Sequence, residues 1–509
     1  MKKTRLVILV LLLLAAPAAM QAQYTYTNAD GSVYTYDANG LGLTITGYTG
    51  PGGEVIIPSF INNLEVLGIG GGEPVFYGTS VTSVKIPGFV NSIGEEAFFA
   101  CTSLTNVNIP ASVLGTEIGT EAFLDCPSLT NVLIPGNVTS IGTGAFQDCP
   151  NLTSVYFTGN PPAVGSNVFY GDPVATAYYL PGTSGWNSTF AGLPVMENSF
   201  DFNVTLYGTI TITGYIGPGG AVAIPGEFGG VLVTTIGQGA FEYNDNLTSV
   251  TIPGTVTAIG EEAFEQCGGL TNVTISNGVT SIGEYAFAAC LSLTSVTIPG
   301  SVTSIGTGAF NQCFSLTDLT ISNGVTSIGV DAFWECTNLS SVTIPNSITN
   351  IAQEAFEGCY SLTNVTIGDG VTNIGFAAFI SCRNLEGVYF TGNAPTVVRN
   401  DFGYDPATIY YLPETTGWGA FSASTGLTTV LWNPLIQANG TNFGVRSNQF
   451  GFTITNGATT NIPIVVEACT NLACPVWTPL TNVMLTNSFY FSDPQWANYP
   501  ARYYGIGFP

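Results

Sequence analysis

The stretch LTSVTIPGSVTSIGTGAFNQC, residues 293–313, contains two short apolar patterns and ends in an Ala-Phe-x-x-Cys phrase. Its first half places Leu293, Val296 and Ile298 on one side and stops at Pro-Gly, which predicts a short strand and a turn. Its second half, SVTSIG, predicts another extended piece that ends at glycine. One such unit cannot bury its large apolar side chains alone. The stretch therefore predicts stacking against copies of itself.

Copies of this unit recur with a step of 23 residues. So strict a period predicts one stacked array, in which strands of successive units pair in parallel at about 4.8 Å. The recurring phenylalanines are Phe241, Phe264, Phe287, Phe310, Phe333, Phe356 and Phe379. The cysteines that follow them are Cys267, Cys290, Cys313, Cys336, Cys359 and Cys382. An earlier block contains Phe98, Phe123 and Phe146 with Cys101, Cys126 and Cys149.

The two blocks are themselves related, which indicates a duplication. LTITGYTGPGGEVIIP (43–58) matches ITITGYIGPGGAVAIP (210–225), and closing segments that begin VYFTGN at residues 155 and 388 also match. The tail after the second block alternates like strands joined by turns and predicts a small β domain. The predicted domains are a signal peptide (1–22), a lead-in segment (23–75), a first array with its closing cap (76–198), a second array with both caps (199–432) and a C-terminal β domain (433–509).

Residues 293–313 resemble the BspA-type bacterial leucine-rich repeat, with its L-x-x-V/L-x-I-P strand, I-G turn and A-F-x-x-C signature. The similarity covers roughly residues 76–175 and 230–405. It implies a curved leucine-rich-repeat solenoid in an exported or cell-surface protein, used for adhesion or partner binding rather than catalysis. The family pattern defines no catalytic residue. The expected fold is therefore mainly β, with two tandem arrays of 23-residue leucine-rich repeats and a small C-terminal β domain.

The N-terminus, MKKTRLVILVLLLLAAPAAMQAQ, has a basic start, an apolar run and small residues after it. This pattern predicts a secretory signal peptide cleaved after Ala22, or alternatively after Ala18, and its apolar run is too short to span a bilayer. Cleavage would leave five of the eight basic residues against 33 acidic ones. We expect a secreted or cell-surface protein with no integral membrane span. Its charge would repel nucleic acid.

The cysteine column of the second block could in principle bind metal, act as a nucleophile or form disulfides. Structural zinc sites need clustered pairs such as Cys-x-x-Cys, usually with histidine, and thiol catalysis needs a base such as imidazole; the column has no such pairs and the chain has no histidine. Identical side chains in adjacent parallel units point the same way, which disfavours disulfides between them. We expect a reduced, buried structural ladder that uses no metal and no cofactor. Its members are Cys267, Cys290, Cys313, Cys336, Cys359 and Cys382.

Two further cysteines lie outside the repeats, in the segment EACTNLACPVW. Cys469 and Cys474 are separated by four residues that include turn formers. In an oxidising compartment this spacing suits a small disulfide that clamps a loop. Two free thiols are the alternative.

Carboxylate pairs are the remaining candidates for catalysis. The phrase GEEAF, at 94–98 and 260–264, holds adjacent acids, but other units carry Thr-Gly or Phe-Ala at that place. Such acids are expected to be solvated surface groups, although paired carboxylates can catalyse glycoside hydrolysis in other proteins. The sequence therefore predicts no enzyme.

The outward positions of the strands form two polar columns. The position between Val and Ile is Thr in six units, and the position two residues earlier is Ser, Asn or Asp. In leucine-rich repeats these positions face the concave side, which predicts a hydroxyl and amide lattice suited to a glycan or to another protein's backbone. The alternative is that threonine only supplies β propensity and solubility. The predicted binding residues are Ser249, Thr251, Asn272, Thr274, Ser295, Thr297, Asp318, Thr320, Ser341, Thr343, Asn364 and Thr366.

The predicted function is binding or adhesion through this concave face, without catalysis, to a protein or glycan at a cell surface or in the extracellular matrix. One alternative is a structural envelope or matrix spacer with no discrete ligand. A second is a carbohydrate-binding or carbohydrate-active protein. The oligomeric state stays open. The aromatic clusters of the closing segments are predicted to cap the arrays, and they are Tyr178, Tyr179, Trp186, Tyr410, Tyr411 and Trp418.

Overall fold

The structure is a computed structural model that describes residues 24–38, 40–111, 115–205, 208–397, 402–403, 406–438, 443–446, 449–456, 461–472 and 475–508. The predicted signal peptide, 1–22, lies outside these residues. The chain divides into two compact units. The first extends to Thr211 and includes Glu227–Val233, and the second contains Ile212–Gly226 and the residues from Thr234 onward. The predicted domain boundaries stay predictions.

Each repeat forms one turn of a β-solenoid. In the repeat of Phe310, a long strand Ser295–Ile298 is followed by a short strand Ser304–Ile305 and a tight turn that contains the phenylalanine. Val296 and Ile298 are buried because side chains of a strand alternate between its two faces. The prediction of a mainly β solenoid is therefore confirmed.

In the first unit, one sheet is built mainly from the lead-in strands and the short strands, which pair in parallel from repeat to repeat. Its strands are Tyr24–Thr27, Val33–Ala38, Leu43–Thr49, Phe60–Ile61, Leu64–Ile69, Ser92–Ile93, Thr116–Ile118, Val138–Ile141 and Ala163–Val164. The other sheet holds the long strands and ends in a hairpin. Its strands are Gly53–Ile56, Val81–Lys85, Asn106–Asn108, Asn131–Ile134, Ser154–Phe157, Thr176–Tyr179, Thr189–Phe190 and Leu193–Glu197. The segment between the two arrays forms three strands of its own. They are Phe200–Val204, Ile210–Tyr215 and Glu227–Phe228.

In the second unit, the short strands form a continuous parallel ladder. They follow Val231–Ile236 and are Ala258–Ile259, Ser281–Ile282, Ser304–Ile305, Ser327–Ile328, Asn350–Ile351, Asn373–Ile374 and Thr396–Val397. The long strands form two sheets of five. The first contains Gly220–Ala223, Leu247–Ile252, Asn272–Ile275, Ser295–Ile298 and Asp318–Ile321. The second contains Ser341–Ile344, Asn364–Ile367, Gly387–Phe390, Thr408–Tyr411 and Thr428–Leu431.

The C-terminal segment is made of antiparallel strands, as the tail pattern predicts. An α-helix, Trp418–Thr425, and the strand Thr428–Leu431 precede it. The strands are Pro434–Gln437, Gly444–Arg446, Gln449–Asn456, Ile462–Cys469, Thr478–Leu485, Ser488–Asp493 and Tyr503–Gly507, with a 3-10 turn at Trp496–Asn498. They form one sheet of four strands and one of three.

A stack of parallel phenylalanine rings runs through the core of each array. In the second array the rings of Phe264 and Phe287 lie 5.0 Å apart with an interplanar angle of 1°. The stack continues at 5.2 Å to Phe310, and it begins at Tyr215, whose ring lies 5.1 Å from Phe241. Tyr48 starts the stack of the first array in the same way. The two tyrosines occupy matching places in the duplicated TGY phrase.

The tight turns supply a third set of hydrogen bonds between repeats, in addition to the two sheets. The amide groups of Glu262, Phe264 and Gln266 donate to carbonyl oxygens of the next repeat at 2.8, 2.7 and 2.8 Å. Glu262 and Gln266 both have a φ of 55°. This left-handed conformation disfavours residues with a Cβ, and it recurs two residues before and two residues after the phenylalanine. Glycine occupies it in some repeats, as at Gly308 and Gly358.

We predict that Ala289→Gly stabilises the protein, because Ala289 has a φ of 54°. Relief of left-handed strain, offset by the greater freedom of glycine in the unfolded chain, should raise the free energy of unfolding by about 0.5–1 kcal/mol. Urea unfolding monitored by circular dichroism measures the change. Gly358→Ala, at the same position three repeats later, should lower the free energy of unfolding by about 1 kcal/mol. If both variants changed the free energy of unfolding in the same direction, the left-handed conformation at this turn position would be contradicted.

Candidate binding face

The predicted outward threonines form a single column, which we call the threonine face. Thr251 pairs in register with Thr274, Thr297 with Thr320, and Thr343 with Thr366. Parallel pairing places neighbouring side chains about 4.8 Å apart on the same side of the sheet. The first five threonines are exposed, whereas Thr366 is half-buried.

The hydroxyl groups of this column make no hydrogen bond within the part of the chain that the structure describes. Among the described residues, none of the six threonines has a side-chain hydrogen bond. Each hydroxyl group can therefore donate one hydrogen bond and accept two from a ligand or from water. The members of the column are Thr251, Thr274, Thr297, Thr320, Thr343 and Thr366.

Two other threonine columns differ from the threonine face, because their hydroxyl groups link successive repeats. Thr294 Oγ1 donates to the carbonyl oxygen of Thr271 at 3.2 Å. At the short strands, Thr303 Oγ1 donates to the carbonyl oxygen of Thr280 at 3.0 Å. These threonines keep only acceptor capacity for an external group. Threonine hydroxyl groups thus link successive repeats in two columns, whereas those of the threonine face make no such link among the described residues.

The second predicted column lies beside the threonine face and is more varied. Asn272, Asp318 and Ser341 are exposed, whereas Ser249, Ser295 and Asn364 are half-buried. Asp318 accepts a hydrogen bond from Thr317 at 2.9 Å. Asn364 accepts one from Tyr389 Oη at 3.5 Å and donates to Thr363 at 3.2 Å. This column is therefore only partly available to a ligand.

The C-terminal segment covers the continuation of the threonine face. In the next strands the register of Thr366 leads to Tyr389 and then to Tyr410. Both tyrosines are buried in a cluster with C-terminal residues, and the ring of Phe508 lies 4.8 Å from that of Tyr389. The open part of the face therefore ends near Thr366. The sequence pattern of the tail alone did not indicate this packing.

The long-strand sheet of the second array is interrupted within the threonine face. Asp318–Ile321 closes one five-stranded sheet, and Ser341–Ile344 belongs to the other. The sequence predicts uninterrupted pairing, so this part of the prediction is wrong. The break coincides with Ser340, which stands where other repeats carry the linking threonine. No hydrogen bond from the Ser340 hydroxyl to the preceding repeat occurs among the described residues.

The cysteine column is fully buried between the phenylalanine stack and the long strands. Cys290 Sγ donates to the carbonyl oxygen of Phe264 at 3.2 Å, and Cys313 repeats the contact with Phe287 at 3.3 Å. Burial raises the pKa of the Cys313 thiol to about 12 and that of Cys290 well above its usual range. A thiolate nucleophile is therefore not accessible here. The six predicted ladder residues, Cys267, Cys290, Cys313, Cys336, Cys359 and Cys382, are all buried and unpaired by disulfides.

We predict that Cys290→Ala lowers the free energy of unfolding by about 1–2 kcal/mol, because it removes a buried group and its hydrogen bond. Urea unfolding measures this loss. In the native protein a water-soluble thiol reagent should label almost none of the repeat cysteines, and after denaturation it should label them all. Fast labelling of the native cysteines would contradict the buried placement.

The predicted disulfide stays a prediction. Cys469 is buried at the end of the strand Ile462–Cys469. Cys474 lies outside the described residues.

Four aromatic residues of the closing segments, Tyr179, Trp186, Tyr411 and Trp418, pack against the ends of the arrays as predicted, whereas Tyr178 and Tyr410 lie on the outward side and stack on Tyr156 and Tyr389. Trp186 stacks on Tyr179 at 5.5 Å, and its indole N–H donates to Thr183 at 3.0 Å. Trp418 stacks on Tyr411 at 5.0 Å and makes the matching bond to Thr415 at 2.8 Å. These rings close the apolar interior.

Asp172 occupies the cysteine position of the last repeat of the first array, three residues after Phe169. Its side chain is 5% exposed, and its Oδ1 accepts a hydrogen bond from the Cys149 amide at 2.6 Å. Oδ2 has no partner among the described residues. Burial raises the pKa of this carboxyl to about 7. Sequence reasoning missed this residue, although the spacing from Phe169 marks it, and Asp405 follows Phe402 by the same step.

We predict that stability falls as pH rises from about 4 to 7, partly through Asp172. The folded state holds a proton on this carboxyl up to about pH 7, whereas the unfolded chain releases it near 3.8. Folding therefore binds a proton in this window, and the stabilisation is lost as pH approaches 7. Asp172→Asn should flatten the pH dependence of the thermal midpoint. Asp125→Asn, an exposed control in the same array, should not; equal flattening would contradict the role of Asp172.

Among the described residues, no three His, Cys, Asp or Glu side chains are grouped so that they could hold a metal ion. No helix in the described ranges has the length and apolarity needed to cross a membrane.

The turns of two strands, their parallel stacking and the inward Leu, Val, Ile and Phe side chains define this protein as a leucine-rich-repeat solenoid. The BspA type leucine rich repeat region, a profile of six copies, matches residues 72–185, 234–359 and 303–428. These matches include more than half of the chain, which therefore belongs to the BspA-type leucine-rich-repeat family. Proteins of this family are generally binding scaffolds rather than enzymes.

Several solved structures are similar to the chain. The T. pallidum leucine-rich-repeat protein TpLRR is 34% identical, with 37% of this chain and 88% of that chain covered and a TM-score of 0.35. A leucine-rich cell surface protein from Faecalibacterium prausnitzii is 26% identical, with coverages of 69% and 95% and a TM-score of 0.25. A leucine-rich-repeat protein from Bacteroides ovatus is 22% identical, with coverages of 80% and 99% and a TM-score of 0.32. No curated protein matched the sequence.

Proposed function

We propose that this protein is an exported, non-catalytic binding protein that engages another protein or a glycan through the threonine face. The observation that carries the proposal is the free state of the six threonine hydroxyl groups. Flanking threonines donate their hydroxyl protons to the preceding repeat, as Thr294 and Thr303 do, whereas this column keeps both donors and acceptors in a regular row.

The low charge of the face defines the chemistry of its partner. Asp318 is the one charged residue in the two predicted columns, although the chain contains 33 acidic residues. A neutral polar surface, such as sugar hydroxyl groups or backbone amides, can satisfy hydroxyl groups without the desolvation of an ion. Phosphate-rich partners would instead meet the repulsion of the surrounding acids.

Export is supported by the N-terminal sequence pattern. The basic start, the apolar run and the small residues before Ala22 fit a cleaved signal, and membership of the BspA-type family, which implies an exported or cell-surface protein, points the same way. A secreted protein and a surface-held protein both fit this proposal.

We predict that replacing Thr297, Thr320 and Thr343 together with lysine abolishes binding. Three bulky cations would displace the partner from the row and lower its affinity more than tenfold, which corresponds to at least about 1.4 kcal/mol. Binding of the purified chain to arrays of immobilised glycans and extracellular proteins measures the effect. Because the three sites are exposed, the thermal midpoint should change little.

The matched control places three lysines on the short strands of the same repeats, at Ser304, Ser327 and Asn350. It adds the same charge on a different sheet and should retain binding. Equal loss in both variants would refute the threonine face as the site. Absence of any binding by the unaltered chain, together with its fractionation with the cell envelope, would instead indicate a structural spacer.

A further inference from the structure

The last repeat of the first array leaves one row of backbone donors without acceptors. In the preceding repeat, the amides of Gly144, Phe146 and Asp148 donate to the following repeat at 2.9, 2.9 and 2.8 Å. The equivalent amides belong to Asn167, Phe169 and Gly171. None of these three has a hydrogen-bond acceptor among the described residues.

The direction of these bonds makes the free row electropositive. From repeat to repeat, the turn amides point toward the C-terminal end of the array and the carbonyl groups point back, as in the bonds from Phe98 to Ala122 and from Phe123 to Ala145. Aligned peptide dipoles add, as they do in a helix, and leave partial positive charge at the end with free N–H groups. Carbonyl oxygens are therefore attracted to this row.

A cavity of about 590 Å³ adjoins the row. The closing hairpin forms its other side with Ala191, Gly192 and Leu193, while Tyr170 stands at the rim with 67% of its surface exposed. Asp172 also contributes to the lining, and its Oδ2 lacks a partner among the described residues. The site thus combines three aligned donors, an aromatic ring and a buried carboxyl.

We propose that this cavity binds a peptide segment of a partner protein in the turn conformation of the repeats, so that it adds to the array as an incomplete further repeat. Within the array, each row of three amides is satisfied by carbonyl groups of alternate residues of such a turn, as with Ser166, Val168 and Tyr170. A peptide in the same turn conformation offers carbonyl groups in the same alternation, and rows of unpaired backbone groups are known docking places for added chain segments. The side chains of the peptide would contact Tyr170 and the hairpin.

Hydrogen exchange of the full chain tests the proposal at the amides themselves. In the free protein, the amides of Asn167, Phe169 and Gly171 should exchange at least ~100-fold faster than those of Gly144, Phe146 and Asp148, because only the latter are hydrogen-bonded. The probe is an acetylated and amidated SIGTGAFN peptide, which copies the turn sequence of residues 304–311. At saturation it should slow the three free amides at least ~10-fold.

A variant at the rim separates binding from folding. Tyr170→Ala should weaken peptide affinity about fivefold, through loss of an aromatic contact. Tyr77→Ala is the matched control, since Tyr77 follows Phe76 at the same position of an earlier repeat and is also exposed. Slow exchange of the three amides in the free chain would overturn the proposal. So would protection by inorganic phosphate but not by the peptide, which would indicate a simple anion site.

Discussion

The hydrogen bonding between successive repeats is the constraint on which the rest of the molecule depends. In most repeats, backbone groups bond to the neighbouring repeats at the long strand, at the short strand and at the tight turn, so extra residues fit only between these three sets. The repeat from Phe98 to Phe123 is two residues longer and still keeps its turn bond to Ala122 and the pairing of both its strands, while the repeats of the second array keep the 23-residue step. With the register fixed, Phe264, Phe287 and Phe310 must stack on one another. Residues with a Cβ are tolerated in the left-handed conformation of the turn because the hydrogen bonds to neighbouring repeats hold the turn in that conformation.

The same constraint decides which side chains remain available to a partner. A threonine whose hydroxyl group lies beside a carbonyl oxygen of the preceding repeat is committed to the fold, as Thr294 and Thr303 are. Thr297 lies between them on the same repeat and makes no such hydrogen bond among the described residues. The difference comes from position around the turn and not from residue type. The proposed binding face therefore rests on a row of polar groups at a fixed spacing and not on a pocket.

Periodicity made much of this structure predictable from the sequence. The inward Leu, Val and Ile, the buried Cys290 and its equivalents, and the closing tryptophans all follow from alternation and repeat spacing. The C-terminal contacts could not be predicted, because Phe508 meets Tyr389 through irregular segments that carry no repeat signal. The interruption of the long-strand sheet near Ser340 could not be predicted either, since a serine in place of threonine is a minor change in the repeat pattern. Asp172 could have been found by applying the cysteine spacing one repeat further.

The ends of the arrays differ from their interiors in a consistent way. An interior cysteine suits its position because the preceding repeat supplies a carbonyl oxygen and the following repeat buries the sulfur. Where the stack begins, Thr79 stands in the cysteine position and its hydroxyl group bonds to Phe76 at 2.7 Å, and Asn244 takes the same position in the second array. Where the first stack closes, Asp172 receives the Cys149 amide. Polar residues therefore replace the thiol where neighbouring repeats run out. Where the first array closes, unpaired donors and the buried carboxyl of Asp172 therefore lie together.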